Sequence, residues 1–188
     1  MKKLGLLLLC FSVFSGCQTK EEYGCSVDSA CSVAEETVVT GLQEMSIDES
    51  ISFFEEKKSG ILYFGFSVCP WCQDVVPILK EVSEEEGVLV HYVPTRYGKE
   101  KEYKHTYSQE QKEKLTKYLF KYMSENEDGE LTLYVPLVVC VEDGVVIDGH
   151  VGTVEEHDAH ERKITEEEIE VVRNEYKKMF KKLKKDVA

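Results

Sequence analysis

A continuous apolar run, Ile61-Leu-Tyr-Phe-Gly-Phe66, is separated by only two residues from Cys69-Pro70-Trp71-Cys72, from which a helical pattern runs from Pro70 to about Glu85. No other stretch limits the possible folds so tightly. An apolar run of this length without alternation reads as a strand buried on both faces. Around it the pattern repeats. Thr37-Val-Val-Thr-Gly-Leu42 has β-branched strand character, and Ser46-Ile-Asp-Glu49 has the spacing of a capping box. That box opens a helix to about Lys58 with Ile47, Ile51 and Phe54 on one face. Val88-Leu-Val-His-Tyr-Val93 is a further strand. The order βαβαβ predicts an α/β domain with a parallel or mixed central sheet flanked by helices.

The position of the two cysteines matters more than their spacing. A thiol at a helix start receives backbone N–H groups and the positive end of the helix dipole, which favours its thiolate. Pro70 has no N–H to lose and suits the first helical position. Cys72 follows one turn deeper on the same face, close enough to resolve a mixed disulfide formed at Cys69. Trp71, flanked by both, is expected to be partly exposed and to offer an apolar platform to an incoming peptide.

Composition narrows the setting. The 188 residues allow one domain, and 36 acidic residues against 23 basic give a net charge of −13. Nucleic acid is therefore not an expected partner, since its phosphates need a basic face. Seven cysteines point to an oxidising compartment, a metal or thiol chemistry. Residues 1–16 read as a leader: Lys2 and Lys3 precede an apolar run to Phe14 that is too short for a permanent span. Phe14-Ser15-Gly16-Cys17 resembles the lipobox of bacterial lipoproteins, with Phe14 where Leu is usual. This resemblance implies lipidation of Cys17 and a chain held on the extracytoplasmic face of the cell membrane; an ordinary secretory leader is the alternative. Residues 17–36 are polar and small and read as a tether, within which Cys25 and Cys31 are a possible disulfide or a pair exchanging with the Cys69–Cys72 site.

The stretch from Tyr63 to Pro77, with its strand, Cys69-Pro-Trp-Cys72 and a helix proline five residues on, resembles the thioredoxin superfamily. Val135-Pro136, followed by Leu137-Val-Val-Cys-Val141, fits that family's cis-proline strand, where Val135 and Pro136 would present backbone to a substrate. Glu142-Asp-Gly144 turns into Val145–Asp148 as a hairpin. Thr165 and Glu168 are spaced as a further capping box, opening a closing helix to about Lys184. The resemblance spans about residues 37–184 and implies a thioredoxin fold and thiol–disulfide exchange on protein cysteines, with a redox partner and no cofactor. Together with the lipobox, the chain most resembles thioredoxin-like lipoproteins of Gram-positive bacteria, bacteriocin-transport accessory proteins among them. A non-catalytic accessory lipoprotein that binds a secreted peptide or a transporter is the alternative that the same fold allows.

Two features depart from the family pattern. Tyr63 stands six positions before Cys69, where an acidic residue usually assists the resolving thiol. An insert over about residues 95–130 precedes the cis-proline strand, with Ser108 and Gln111 opening a charged helix to about Met123. It would either shape substrate access or serve packing alone.

The remaining candidates have plainer readings. Cys25, Cys31, Cys69 and Cys72 have poor zinc spacing, because five residues separate the first pair. His150 and His157-Asp-Ala-His-Glu161 lack a metal-binding helical spacing and are expected to form a solvated loop. Cys140 is expected in the core, and His91 as a hydrogen-bonded strand histidine. The lysines from Lys177 to Lys185 are expected on a solvated face at the C-terminal end of the closing helix.

Overall fold

The structure, a computed structural model, describes residues 41–98 and 102–184. Cys17, Cys25, Cys31 and Lys185 lie outside the described residues, as does most of the strand expected at residues 37–42. The elements run β1 (Gly41–Glu44), α1 (Ile47–Glu55), β2 (Gly60–Gly65), α2 (Pro70–Glu86), β3 (Leu89–Pro94), β4 (Arg96–Tyr97), β5 (Lys104–His105), α3 (Gln109–Leu119), a 3₁₀ turn (Phe120–Tyr122), β6 (Ser124–Glu125), β7 (Leu131–Thr132), β8 (Leu137–Glu142), β9 (Val145–Val151) and α4 (Glu166–Lys184).

Local chemistry sets the helix ends. Ser46 and Glu49 form a reciprocal capping box on α1, and Ser108 and Gln111 form one on α3. At α4, the Thr165 N–H donates to Glu168 at 2.8 Å, and the Glu168 N–H donates back to the Thr165 hydroxyl at 3.3 Å. Pro70 opens α2, and Gly87 closes it in the left-handed region at φ 61°. Asp143 (φ 47°) and Gly144 (φ 77°) supply the two positive φ values of a tight hairpin turn between β8 and β9.

The main sheet has the order β1-β3-β2-β8-β9. β1, β3 and β2 are mutually parallel, β8 runs antiparallel to β2, and β9 runs antiparallel to β8 and so in the same direction as the first three. In β2, Ile61 and Tyr63 face one side and Leu62 and Phe64 the other, so an unbroken apolar run feeds two cores. On the first face, Val75, Leu79 and Val82 of α2 meet Val172, Tyr176 and Phe180 of α4. On the second, Ile51 and Phe54 of α1 meet Leu115 and Leu119 of α3. Cys140 is buried in the first core, and burial pushes its thiol up to about 12. This is a thioredoxin fold.

The insert adds two small antiparallel ladders, β4–β5 and β6–β7, besides α3. Its helix ends at Leu119 and tightens into the 3₁₀ turn, short of the expected Met123. Lysines of α4 are less free than a solvated face implies. Lys177 pairs with Glu85 at 2.5 Å and Lys182 with Asp148 at 2.5 Å, tying α4 to α2 and β9. His91 lies against the Phe53 ring at 5.4 Å, and burial lowers its pKa.

Candidate active site at the start of the second helix

Cys69 is the residue that caps α2. Its backbone is extended (φ −73°, ψ 121°), and its sulfur accepts the Cys72 N–H at 3.4 Å. A sulfur in this position stands where an N-cap oxygen would and is worth most to the helix when charged. Its thiol is accordingly lowered to about 7. The hydrogen bond from the Cys72 thiol contributes most; burial opposes it, and the Cys72 and Trp71 N–H groups and the Arg96 charge assist. Cys72 is shifted the other way, by its bond to Cys69 and then by burial. One thiol is prepared to attack, and the other keeps its proton.

Both thiols are buried as residues, Cys69 at 4% exposure and Cys72 at 2%. Only Cys69 borders the groove beside Trp71, a space of about 420 Å³ lined also by Phe66, Tyr134, Val135 and His160. Val135–Pro136 is cis, and the Cys69 sulfur lies 4.0 Å from the Val135 carbonyl oxygen. The structure thus brings together Cys69, Pro70, Trp71, Cys72, Val135 and Pro136 from two distant parts of the chain. Val135 and Pro136 come from the segment just before β8, and the two thiols come from the start of α2.

Tyr63, six positions before Cys69, is buried at 2% exposure. Its hydroxyl reaches into the space that a side chain on Gly65 would take, where a Cβ would lie 2.3 Å from it. From there its side chain acts on Cys72, lowering that thiol against the larger opposing effects. Burial, followed by the neighbouring Cys72 charge, raises the tyrosine itself far above its ordinary range. Tyr63 can therefore steady a Cys72 thiolate but cannot collect its proton. A second space of about 470 Å³ lies against Cys72, Tyr63 and Lys80 and is large enough for water to act as acceptor.

The expected solvated loop at residues 157–161 is corrected in part. Asp158, His160 and Glu161 are exposed, but His157 is buried at 7%. Its Nε2 lies 2.9 Å from an Asp74 carboxylate oxygen, and the two side chains are 0% and 5% exposed. The reason is Asp74 itself, which falls among the buried positions of α2 beside Val75 and needs a partner there. The same loop holds Trp71, whose Nε1–H donates to the His157 carbonyl at 3.2 Å while His160 sits edge-on at 4.8 Å. Trp71 is half-buried, a wall of the groove rather than a free platform. The signal that could have found this pair was a carboxylate on the apolar face of a helix.

No protein-family model matches the chain, and no curated protein matches it. Among solved structures, it is similar to thioredoxin f2 of Chlamydomonas reinhardtii (16% identity over 60% of this chain and 84% of that one, TM-score 0.38). It is similar also to oxidised thioredoxin O1 of Arabidopsis thaliana (16%, 64% and 90%, TM-score 0.37). A thioredoxin-like protein of Clostridium perfringens covers more (15%, 82% and 91%, TM-score 0.39). At scores this low, these likenesses add no weight; the strand order, the cis Val135–Pro136 bond and the helix-capping Cys69 carry the fold assignment.

Proposed function

We propose that the chain is a thiol–disulfide oxidoreductase acting on protein cysteines. The observation that carries this reading is the Cys69 sulfur capping α2 at the floor of the groove, with a thiol lowered to about 7. In the reductive direction, the Cys69 thiolate attacks one sulfur of a substrate disulfide. That S–S bond breaks, a substrate thiolate leaves and takes up a proton, and a mixed disulfide joins Cys69 to the substrate. Cys72 then gives its proton to water and attacks the Cys69 sulfur, with Tyr63 steadying the developing charge. The second substrate sulfur leaves as a thiolate and is protonated in turn. Two electrons and two protons have reached the substrate, and the chain holds a Cys69–Cys72 disulfide. A partner protein dithiol resets it. Run backwards, the same steps oxidise a substrate dithiol, with a partner disulfide as acceptor. Pro70, Trp71, Val135 and Pro136 form the surface along which the substrate backbone lies.

The setting belongs to the same proposal: a chain anchored through lipid on Cys17, outside the cytoplasm, after removal of residues 1–16. No helix among the described residues is long and apolar enough to cross a membrane. Cys17→Ser is expected to shift the protein out of the membrane fraction, and retention there would sink the anchor. For the chemistry, Cys72→Ala in cells is expected to accumulate mixed disulfides on Cys69 that collapse under reductant and vanish in Cys69→Ser/Cys72→Ala. Absence of covalent partners, with Cys69 of the reduced wild type inert to alkylation, would overturn the redox reading in favour of a non-catalytic binding protein.

A further inference from the structure

The insert contributes a second pocket whose charge is at odds with the rest of the molecule. Its walls include Arg96 of β4, His105 of β5 and Lys112 in the first turns of α3, enclosing about 300 Å³. β4 and β5 pair Arg96 directly with His105, so the two side chains are held together by the ladder. Tyr107 braces His105 with a ring contact at 4.7 Å. In a chain of 36 acidic and 23 basic residues, a cation usually has a carboxylate at hand. Arg162 has Glu168, Arg173 has Glu81 and Lys114 has Glu110. Among the described residues, Arg96, His105 and Lys112 form no ion pair. The one described carboxylate lining their pocket is Glu130, which leaves the balance positive. His105 carries the imprint of this crowding, because burial lowers its pKa and the charges of Arg96 and Lys112 lower it further.

The pocket and the cysteine groove share one lining side chain. Arg96 lines both spaces, its guanidinium 5.4 Å from the centre of the Phe66 ring. At the N-terminus of α3 the capping box already takes the Ser108 and Gln111 N–H groups. Asn126 is likewise occupied, its side-chain oxygen accepting the Asp128 and Glu130 N–H groups. What remains available is positively charged and includes Arg96, which also lines the Cys69 groove.

We propose that Arg96, His105 and Lys112 form a recognition site for acidic side chains flanking the reactive cysteine of the substrate protein, so that the insert selects acidic cysteine-containing segments. This rests on the redox reading only in calling the ligand a substrate. An acidic segment lying along the groove would place its cysteine at Cys69 and its carboxylates beside Arg96 and beyond, relieving the repulsion between Arg96 and Lys112 and giving the His105 ring an acceptor.

The test separates binding from chemistry. Labelled peptides share one serine-substituted cysteine core and carry flanking Glu, Gln or Lys. They are titrated against the full chain bearing Cys69→Ser/Cys72→Ser. Glu peptides are expected to bind about five- to tenfold more tightly than Gln peptides at low salt, with the difference shrinking toward unity near 0.5 M salt. Lys112→Glu in the same background is expected to abolish or invert that order. With wild type and cysteine-containing peptides, the preference is expected in KM rather than kcat. Equal binding of Glu and Gln peptides, or a preference unchanged by both Lys112→Glu and His105→Gln, would overturn the proposal. A charge preference that persists when no mixed disulfide can be trapped would remove the redox reading and leave the acidic site standing; trapping without a charge preference would do the opposite.

Discussion

Replacing Cys69 with serine is expected to lower disulfide exchange by roughly a thousandfold or more, the scale on which loss of a nucleophile is felt. A serine hydroxyl can still cap α2, so the helix should survive while the chemistry does not. The wild type adds a pH signature that a structural cysteine would lack. Alkylation of Cys69 in the reduced protein is expected to rise to half its maximum at about pH 7, well below an ordinary thiol. The same shift makes the stability of the dithiol form depend on pH. Folded Cys69 loses its proton at a lower pH than unfolded Cys69, so between about 7 and the ordinary thiol range the unfolded chain binds more protons. The resulting stabilisation is complete above that range and disappears as pH falls through 7. The disulfide form has no such dependence, so the lowered thiol favours the dithiol and makes the couple more oxidising. An alkylation profile centred in the ordinary thiol range would overturn the account of Cys69 as a helix-capping thiolate.

What could be read from the chain was what local chemistry decides. The Ser46–Glu49, Ser108–Gln111 and Thr165–Glu168 boxes each span three residues, and Pro70 and Gly87 mark the two ends of α2. The run from Ile61 to Phe66 announced burial on both faces, but a run without alternation cannot say which residue serves which core. The ladders β4–β5 and β6–β7 have two residues per strand and therefore no period to detect. The helix-capping Cys69 with Cys72 beside it and the cis Val135–Pro136 bond were legible through short motifs. The Asp74–His157 pair, 83 positions apart, was not. Asp74 is marked only as a carboxylate on the apolar face of α2, nothing marks His157 as its partner, and only the fold brings the loop after β9 onto α2. Tyr63 was legible as a departure, yet its consequence depended on Gly65 leaving space for the hydroxyl beside Cys72.

His157→Ala is expected to cost about 2–4 kcal/mol, because it strands the Asp74 carboxylate at a site only 5% exposed. Lys163 approaches the other Asp74 oxygen at 3.7 Å but is itself 79% exposed, so solvent screens most of what it could supply. In a domain of this size, such a loss corresponds to a Tm lower by about 5–15 °C. His157→Gln, which restores an N–H donor, is expected to recover part of it. Asp74→Asn keeps an oxygen acceptor without a charge to strand and is expected to cost less than His157→Ala. A second readout separates positioning from packing. Trp71 is the only tryptophan in the chain, and its indole N–H is held by the His157 carbonyl. Loosening the loop should free the indole toward water, shift its emission to the red and raise KM for peptide substrates along the groove. Loss of stability with unchanged emission and unchanged KM would confine the pair to the core and overturn its role in holding Trp71 beside Cys69.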